Sequence, residues 1–276
     1  LAGVISTLRT QQMQLCVIPK AGACHGQDNP ACSSRCFDGP HAAVHPGQAR
    51  ALDGYIPMTS PLEQLVSIPV DQTHMEGLLV LPAAAMGLVL FAHGSGSNRH
   101  SPRNNYVAGV LHARRVGTLL LDLITPEEGQ DYRTRFDTPL LEQRLQAATA
   151  WVSRQPLTQS LPLGYFGTRT GAAAALMAAA VQGDVIRAVV SRGGRPDLAG
   201  AETLARVRCP TLLLAGSRDK DVLELNRQAA AYMRCPLRLS VIRGATHLFK
   251  EPGTLEAVAK QAAAWFEENL RPASVT

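Results

Sequence analysis

From about residue 62 onward, apolar runs of strand length alternate with segments of helical periodicity. That alternation most constrains what this chain can fold into. The runs fall at residues 64–70, 77–81, 88–93, 118–123, 163–167, 188–191, 211–216 and 237–242. Helical patterns lie between the later ones. Residues 139–154 place Leu140, Leu141, Leu145, Ala148 and Trp151 at helical spacing, residues 171–181 are alanine-rich, 222–233 are amphipathic, and 255–270 close the periodic part. Strands that alternate with helices need crossover connections, so the reading is an α/β fold with a mostly parallel central sheet and helices on both faces. With 276 residues, 46% of them hydrophobic, the chain is long enough for one large core. The domain that holds this core is placed at residues 61–276.

Residues 1–60 read differently. They show neither period and hold Cys16, Cys24, Cys32 and Cys36 of the six cysteines, with His25, His41 and His45 nearby. They are expected to form an irregular N-terminal extension. No pair of these cysteines has the C-x2-C clip of most structural zinc sites, so no metal is assigned. Disulfides and unpaired thiols both stay open. Residues 1–19 lack the basic start and continuous apolar centre of a signal peptide. The chain opens on Leu1, which allows for an incomplete or processed N-terminus, and the expected compartment is the cytoplasm.

No run approaches the ~20 apolar residues of a membrane-spanning helix, so no span is expected. The net charge is +5, and lysine stands only at positions 20, 220, 250 and 260, so arginine carries most of the positive charge. The basic residues are scattered and aromatics make up only 5% of the chain, which argues against a nucleic-acid surface. Arginine's preference for flat oxyanions is the better lead.

The chemistry gathers around Gly167-Thr168-Arg169-Thr170-Gly171, between a strand run and the alanine-rich helix. This is the spacing of a nucleophile elbow, where glycines flank a strained central residue at a strand-to-helix turn. Such a turn aims a backbone N–H and a helix N-terminus at the reacting centre. Asp219 follows the run at 211–216, and His247 follows the run at 237–242. Nucleophile, acid and base therefore come in the order of the α/β-hydrolases. Phe91-Ala-His93-Gly94-Ser95 follows an earlier strand and has the look of half an oxyanion hole; Gly94 and Ser95, with Thr170 after the elbow tip, are its candidate donors. Asp221 is the rival acid but suits the N-cap of the next helix better.

Taken together, the loop from His93 to Arg103, the elbow, Ser191-Arg-Gly-Gly-Arg-Pro-Asp-Leu-Ala199, Asp219 with the segment 222–226, and Gly244-Ala-Thr-His247-Leu-Phe249 resemble the dienelactone hydrolase-like branch of the α/β-hydrolases. The resemblance spans roughly residues 60–270. It implies hydrolysis of a small carboxylic ester or lactone through an acyl-enzyme, with no cofactor.

One residue departs from the pattern. Family members carry Ser, sometimes Cys, at the elbow tip, and this chain has Arg169. A guanidinium has no lone pair to offer an acyl carbon, and His247 has no hydroxyl or thiol there to activate. Three explanations compete. The scaffold is disabled, with little or no esterase turnover. A neighbour acts instead, from among Thr168, Thr170, Ser95 and Ser191, or a water activated by His247 and Asp219 supports much slower turnover. Or Arg169 holds an anion, a carboxylate or a phosphate, with Arg99, Arg103, Arg192 and Arg195 lining the same crevice. The structural alternative for those four is pairing with Asp122, Asp137 or Asp197 to hold loops. The oligomeric state is open.

Overall fold

The computed structural model describes residues 60–94 and 97–271; the expectations for the N-terminal extension and for Ser95 lie outside them. The strands are β1 (Leu62–Val70), β2 (Thr73–Leu81), β3 (Gly87–Ala92), β4 (Val116–Leu121), β5 (Leu163–Thr168), β6 (Ile186–Arg192), β7 (Thr211–Gly216) and β8 (Leu237–Ile242). They form one eight-stranded sheet in the order β1-β2-β4-β3-β5-β6-β7-β8. The β1–β2 and β2–β4 pairs are antiparallel, and every other pair is parallel. The mostly parallel sheet of the sequence reading is borne out.

The helices are α1 (Pro102–His112), α2 (Thr138–Val152), α3 (Thr170–Gln182), α4 (Ala201–Arg206), α5 (Lys220–Tyr232) and α6 (Thr254–Asn269), with short 3-10 turns between some elements. β3, β4, β5 and β7 are buried at every position, as strands covered on both faces must be. Alternate side chains feed two cores. Leu88 and Leu90 join Leu141, Leu145 and Leu176 on the α2–α3 face; Val89 and Phe91 join Val107, Leu111 and Phe266 on the α1–α6 face. β1 alternates between buried and exposed positions, as an edge strand with one solvated face does. The alanines of α3 are buried almost throughout; their small side chains let this helix lie close against the sheet.

Two readings need amendment. The helix Pro102–His112 was not among the expected helices. Asp221 does not cap α5: Asp219 occupies the N-cap position and Asp221 lies in the first turn.

Candidate active site

The carboxyl ends of the parallel strands converge where open α/β sheets build their crevices. β5 ends in Thr168, and Arg169 turns the chain into α3 with φ 52° and ψ −124°. A side chain seldom occupies this region, and doing so costs about 1–3 kcal/mol. The neighbours impose it. A Cβ on Gly167 would run into the backbone of Ala172, and one on Gly171 would run into the Ala92 carbonyl. The Arg169 carbonyl accepts from Ala172 N–H at 3.2 Å and from Arg195 N–H at 3.0 Å. The elbow conformation is therefore a property of its surroundings, whichever side chain stands at the tip.

Asp219 and His247 meet beside it, with Asp219 Oδ2 2.7 Å from His247 Nδ1. The carboxylate is mostly shielded, while the imidazole is 37% exposed and borders the crevice. A carboxylate on Nδ1 fixes the tautomer with Nε2 free to accept a proton, which is what a general base needs. Glu251 braces the histidine loop by accepting from Thr246 N–H at 3.1 Å and Thr246 Oγ1 at 2.7 Å. These bonds hold the Glu251 carboxyl below its ordinary range. At 2.8 Å, Gly244 N–H donates to Ser217 Oγ, tying the loops after β7 and β8 together.

Gly94 lies against Arg169, so close that a Cβ on it would collide with that side chain. Its N–H donates to Thr168 Oγ1 at 3.2 Å. Thr170 opens α3. Of the neighbouring hydroxyls, Thr168 is buried and accepts that bond, and Ser191 is fully buried beneath Gly194. Thr168 borders the crevice but its hydroxyl is engaged by Gly94, and Ser191 does not line the crevice. His93 is buried, and Asn104 Nδ2 donates to its Nδ1 at 2.6 Å. The bond anchors the loop after β3 to α1. Burial first, and then the charge of Arg192, lower the His93 pKa to about 3, so it is neutral at working pH.

The arginines separate into two groups. Arg99 pairs with Asp122 and Glu76, and its backbone N–H donates to Asp122 Oδ1 at 2.6 Å. Arg195 makes a forked pair with Asp197, with Nη2 at 2.7 Å and Nε at 2.9 Å. Both fit the loop-holding alternative. Arg103, Arg169 and Arg192 instead line one cavity of about 260 Å³ together with His247. Sequence reasoning grouped Arg192 with Arg99, Arg103 and Arg195; its place as the last residue of β6, at the carboxyl end of a buried strand, is the signal that sets it apart. A second cavity of about 370 Å³ shares Ser97 and Asn98 with the first and is walled by Leu123, Ile124, Pro126 and Leu141. Among the described residues no cluster of His, Cys, Asp and Glu is arranged to hold a metal ion, and no helix is long and apolar enough to cross a membrane.

The fold matches solved structures. A dienelactone hydrolase from Anabaena variabilis is 50% identical, with a TM-score of 0.74 over 77% of this chain and 100% of its own. The chain belongs to the dienelactone hydrolase-like branch of the α/β-hydrolases. The esterase Est1E from Butyrivibrio proteoclasticus shares the fold at 16% identity, with a TM-score of 0.64 over 74% of this chain and 98% of its own. Two Mycobacterium tuberculosis proteins, provisionally named phosphoribosyl transferases, are 53% identical over 214 residues. This dienelactone hydrolase-like chain aligns over 78% of its length but spans only 47% of theirs. No family model matches it.

Proposed function

We propose that this chain is a carboxylic ester or lactone hydrolase scaffold whose covalent step is disabled at the elbow. Asp219 orients His247 as general base, and the N-terminus of α3 faces the place where an oxyanion develops. Arg169 occupies the position from which a hydroxyl or thiol would attack. The observation that carries this reading is the 2.7 Å Asp219–His247 pair standing beside an elbow whose tip is arginine. Covalent acyl transfer needs a deprotonatable nucleophile within reach of that histidine. A water activated by His247 would lack the advantage of a positioned nucleophile and react far more slowly. The name carried by the mycobacterial relatives belongs to proteins of which this chain spans less than half, and the residues described above support hydrolase chemistry.

The test is hydrolysis of a short activated acyl ester by the unaltered chain, Arg169→Ser and Arg169→Ser/His247→Ala. Arg169→Ser is expected to gain turnover and show an acyl-enzyme burst, and the double variant is expected to lose both. Strong turnover in the unaltered chain, unaffected by His247→Ala, would overturn the reading. A second reading, a non-catalytic site for a carboxylate or phosphate centred on Arg169, is favoured by one observation: Arg103 and Arg192 line the same cavity.

A further inference from the structure

The cavity over the elbow concentrates positive charge. Arg103, Arg169 and Arg192 line it, and no carboxylate is among its described lining residues. Three acids of the neighbouring loops are engaged elsewhere: Asp122 with Arg99, Asp197 with Arg195, Asp219 with His247. Arg192 is the telling member. Its guanidinium lies 6.0 Å from the centre of the Phe166 ring, and its Nη1 is buried with no hydrogen-bond partner among the described residues. Buried donors on a charged group are rarely left unmade, because the desolvation cost then goes uncompensated. Burial, followed by the neighbouring charges of Arg103 and Arg169, lowers the Arg192 pKa to about 10. The group is thus still cationic at neutral pH, facing charges of its own sign.

The surrounding backbone adds to this field. The first turn of α1 forms one wall through Ser101, Pro102 and Arg103, with no acidic residue in that turn and no side-chain cap from Ser101. α3 begins next to Arg169, another lining residue. Both helix N-termini carry partial positive charge and favour an anion.

We infer that this cavity binds a phosphate monoester, with its phosphate on Arg103, Arg169 and Arg192 and its organic body in the adjoining cavity, against the apolar side made by Leu123, Ile124, Pro126 and Leu141 and away from Asp122. The inference rests on the anion-site reading given above and names its ligand class. Charge and geometry select phosphate over carboxylate. A carboxylate brings one charge and two oxygens, whereas a phosphate monoester brings about −1.5 to −2 charges at pH 7 and three oxygens toward a cluster of guanidinium groups. Shape selects an ester over the free ion. The 370 Å³ cavity that shares Ser97 and Asn98 is walled by Leu123, Ile124, Pro126 and Leu141, and inorganic phosphate would leave it unused. The site binds and does not turn over.

The test is calorimetric titration of the full chain at fixed ionic strength with phenyl phosphate, inorganic phosphate and benzoate. Phenyl phosphate is expected to bind one per chain, at least tenfold tighter than either of the others. Arg103→Gln and Arg192→Gln are each expected to weaken it at least tenfold, while exposed Arg154→Gln leaves it unchanged. Should Arg192→Gln fail to fold, Arg103→Gln at the helix start and Arg192→Lys, which keeps the charge but loses the fork, carry the same comparison. Absence of saturable phenyl phosphate binding, or binding indifferent to Arg103 and to Arg192, overturns the inference. Benzoate binding as tightly as phenyl phosphate through the same arginines overturns the phosphate class and leaves an anion site. Gain of esterase activity in Arg169→Ser is independent of all three outcomes, so the two readings fail separately.

Discussion

Glu128→Ala is expected to destabilise the fold far more than its place in a loop implies. Arg144, on α2, has only 4% of its side chain exposed. It donates from Nη1 to the Leu123 carbonyl at 2.8 Å, and both terminal nitrogens meet the Glu128 carboxylate. Glu128 also accepts from Thr125 N–H at 2.9 Å, closing the segment that walls the apolar cavity. Removing one partner of a buried ion pair costs about 3–5 kcal/mol, since the other charge is left unpaired. Two features reduce that here: Arg144 keeps its bond to Leu123, and the Glu128 side chain is 30% exposed to screening water. A loss of about 2–3 kcal/mol remains. At about 2–4 °C per kcal/mol for a domain of this size, the melting temperature falls by about 4–12 °C.

Urea unfolding at several pH values is the assay, because the pair has a signed pH dependence. Hydrogen bonds from Arg144 hold the Glu128 carboxyl below its ordinary range. A carboxyl depressed in the folded state contributes fully above its unfolded pKa and loses that contribution as pH falls through the folded value. The gap between the unaltered chain and Glu128→Ala should be constant above about pH 5 and shrink below it. A gap under about 0.5 kcal/mol at pH 7, the range of an ordinary surface change, or one that grows on acidification, would refute the reasoning.

Other outcomes follow from the same coordinates. In the Arg169→Ser background, Asp219→Asn should lower ester turnover by about 10³–10⁴-fold, read by single-turnover kinetics, because the imidazole loses its orienting carboxylate. Phe166→Ala, which removes a fully buried ring stacked on Phe91 at 4.6 Å, should cost about 3–5 kcal/mol in denaturant titration. His93 binds a proton far less readily folded than unfolded, so its burial should reduce stability as pH falls from about 6.5 toward 3. The slope is up to about 1.4 kcal/mol per pH unit, and His93→Gln should flatten it. Burial pushes the Cys209 thiol up to about 12, so peptide mapping after iodoacetamide treatment at pH 8 should find it protected in the native protein and labelled in urea.

The sheet was legible in the sequence because its strands are short, continuous apolar runs, the pattern that two-sided burial imposes. α1 was not, because its buried face starts with Asn104, a residue that normally signals surface. Asn104 is buried because its amide anchors His93, a partner in another element that no local pattern reveals. The elbow and the acid–base pair were legible as spacing, since each sits directly after a strand. The arginines were harder. Arg195 and Asp197 lie two positions apart, so their pairing was open to local inspection. Arg99 finds Asp122 and Glu76 only through the adjacency of the loop after β3 to β4 and β2. Arg192 is marked in the sequence only by its place at the end of a strand run; that no carboxylate among the described residues pairs with it is a property of three dimensions. The Asp221 misreading has a related cause. A helix start offers two acids, and the one nearer the strand was drawn to His247, leaving the cap position without a side-chain bond.

The elbow's shape is held by Gly167, Gly171 and the N–H groups of Ala172 and Arg195, which meet backbone atoms and not the side chain at position 169. Selection for folding is therefore blind to that side chain. A single base change separates some serine and arginine codons, so, on the function proposed above, a lineage carrying this scaffold can cross between enzyme and binder without passing through an unfolded intermediate. Reactivity in such a fold is a heritable setting at one codon, kept or discarded by selection on chemistry alone.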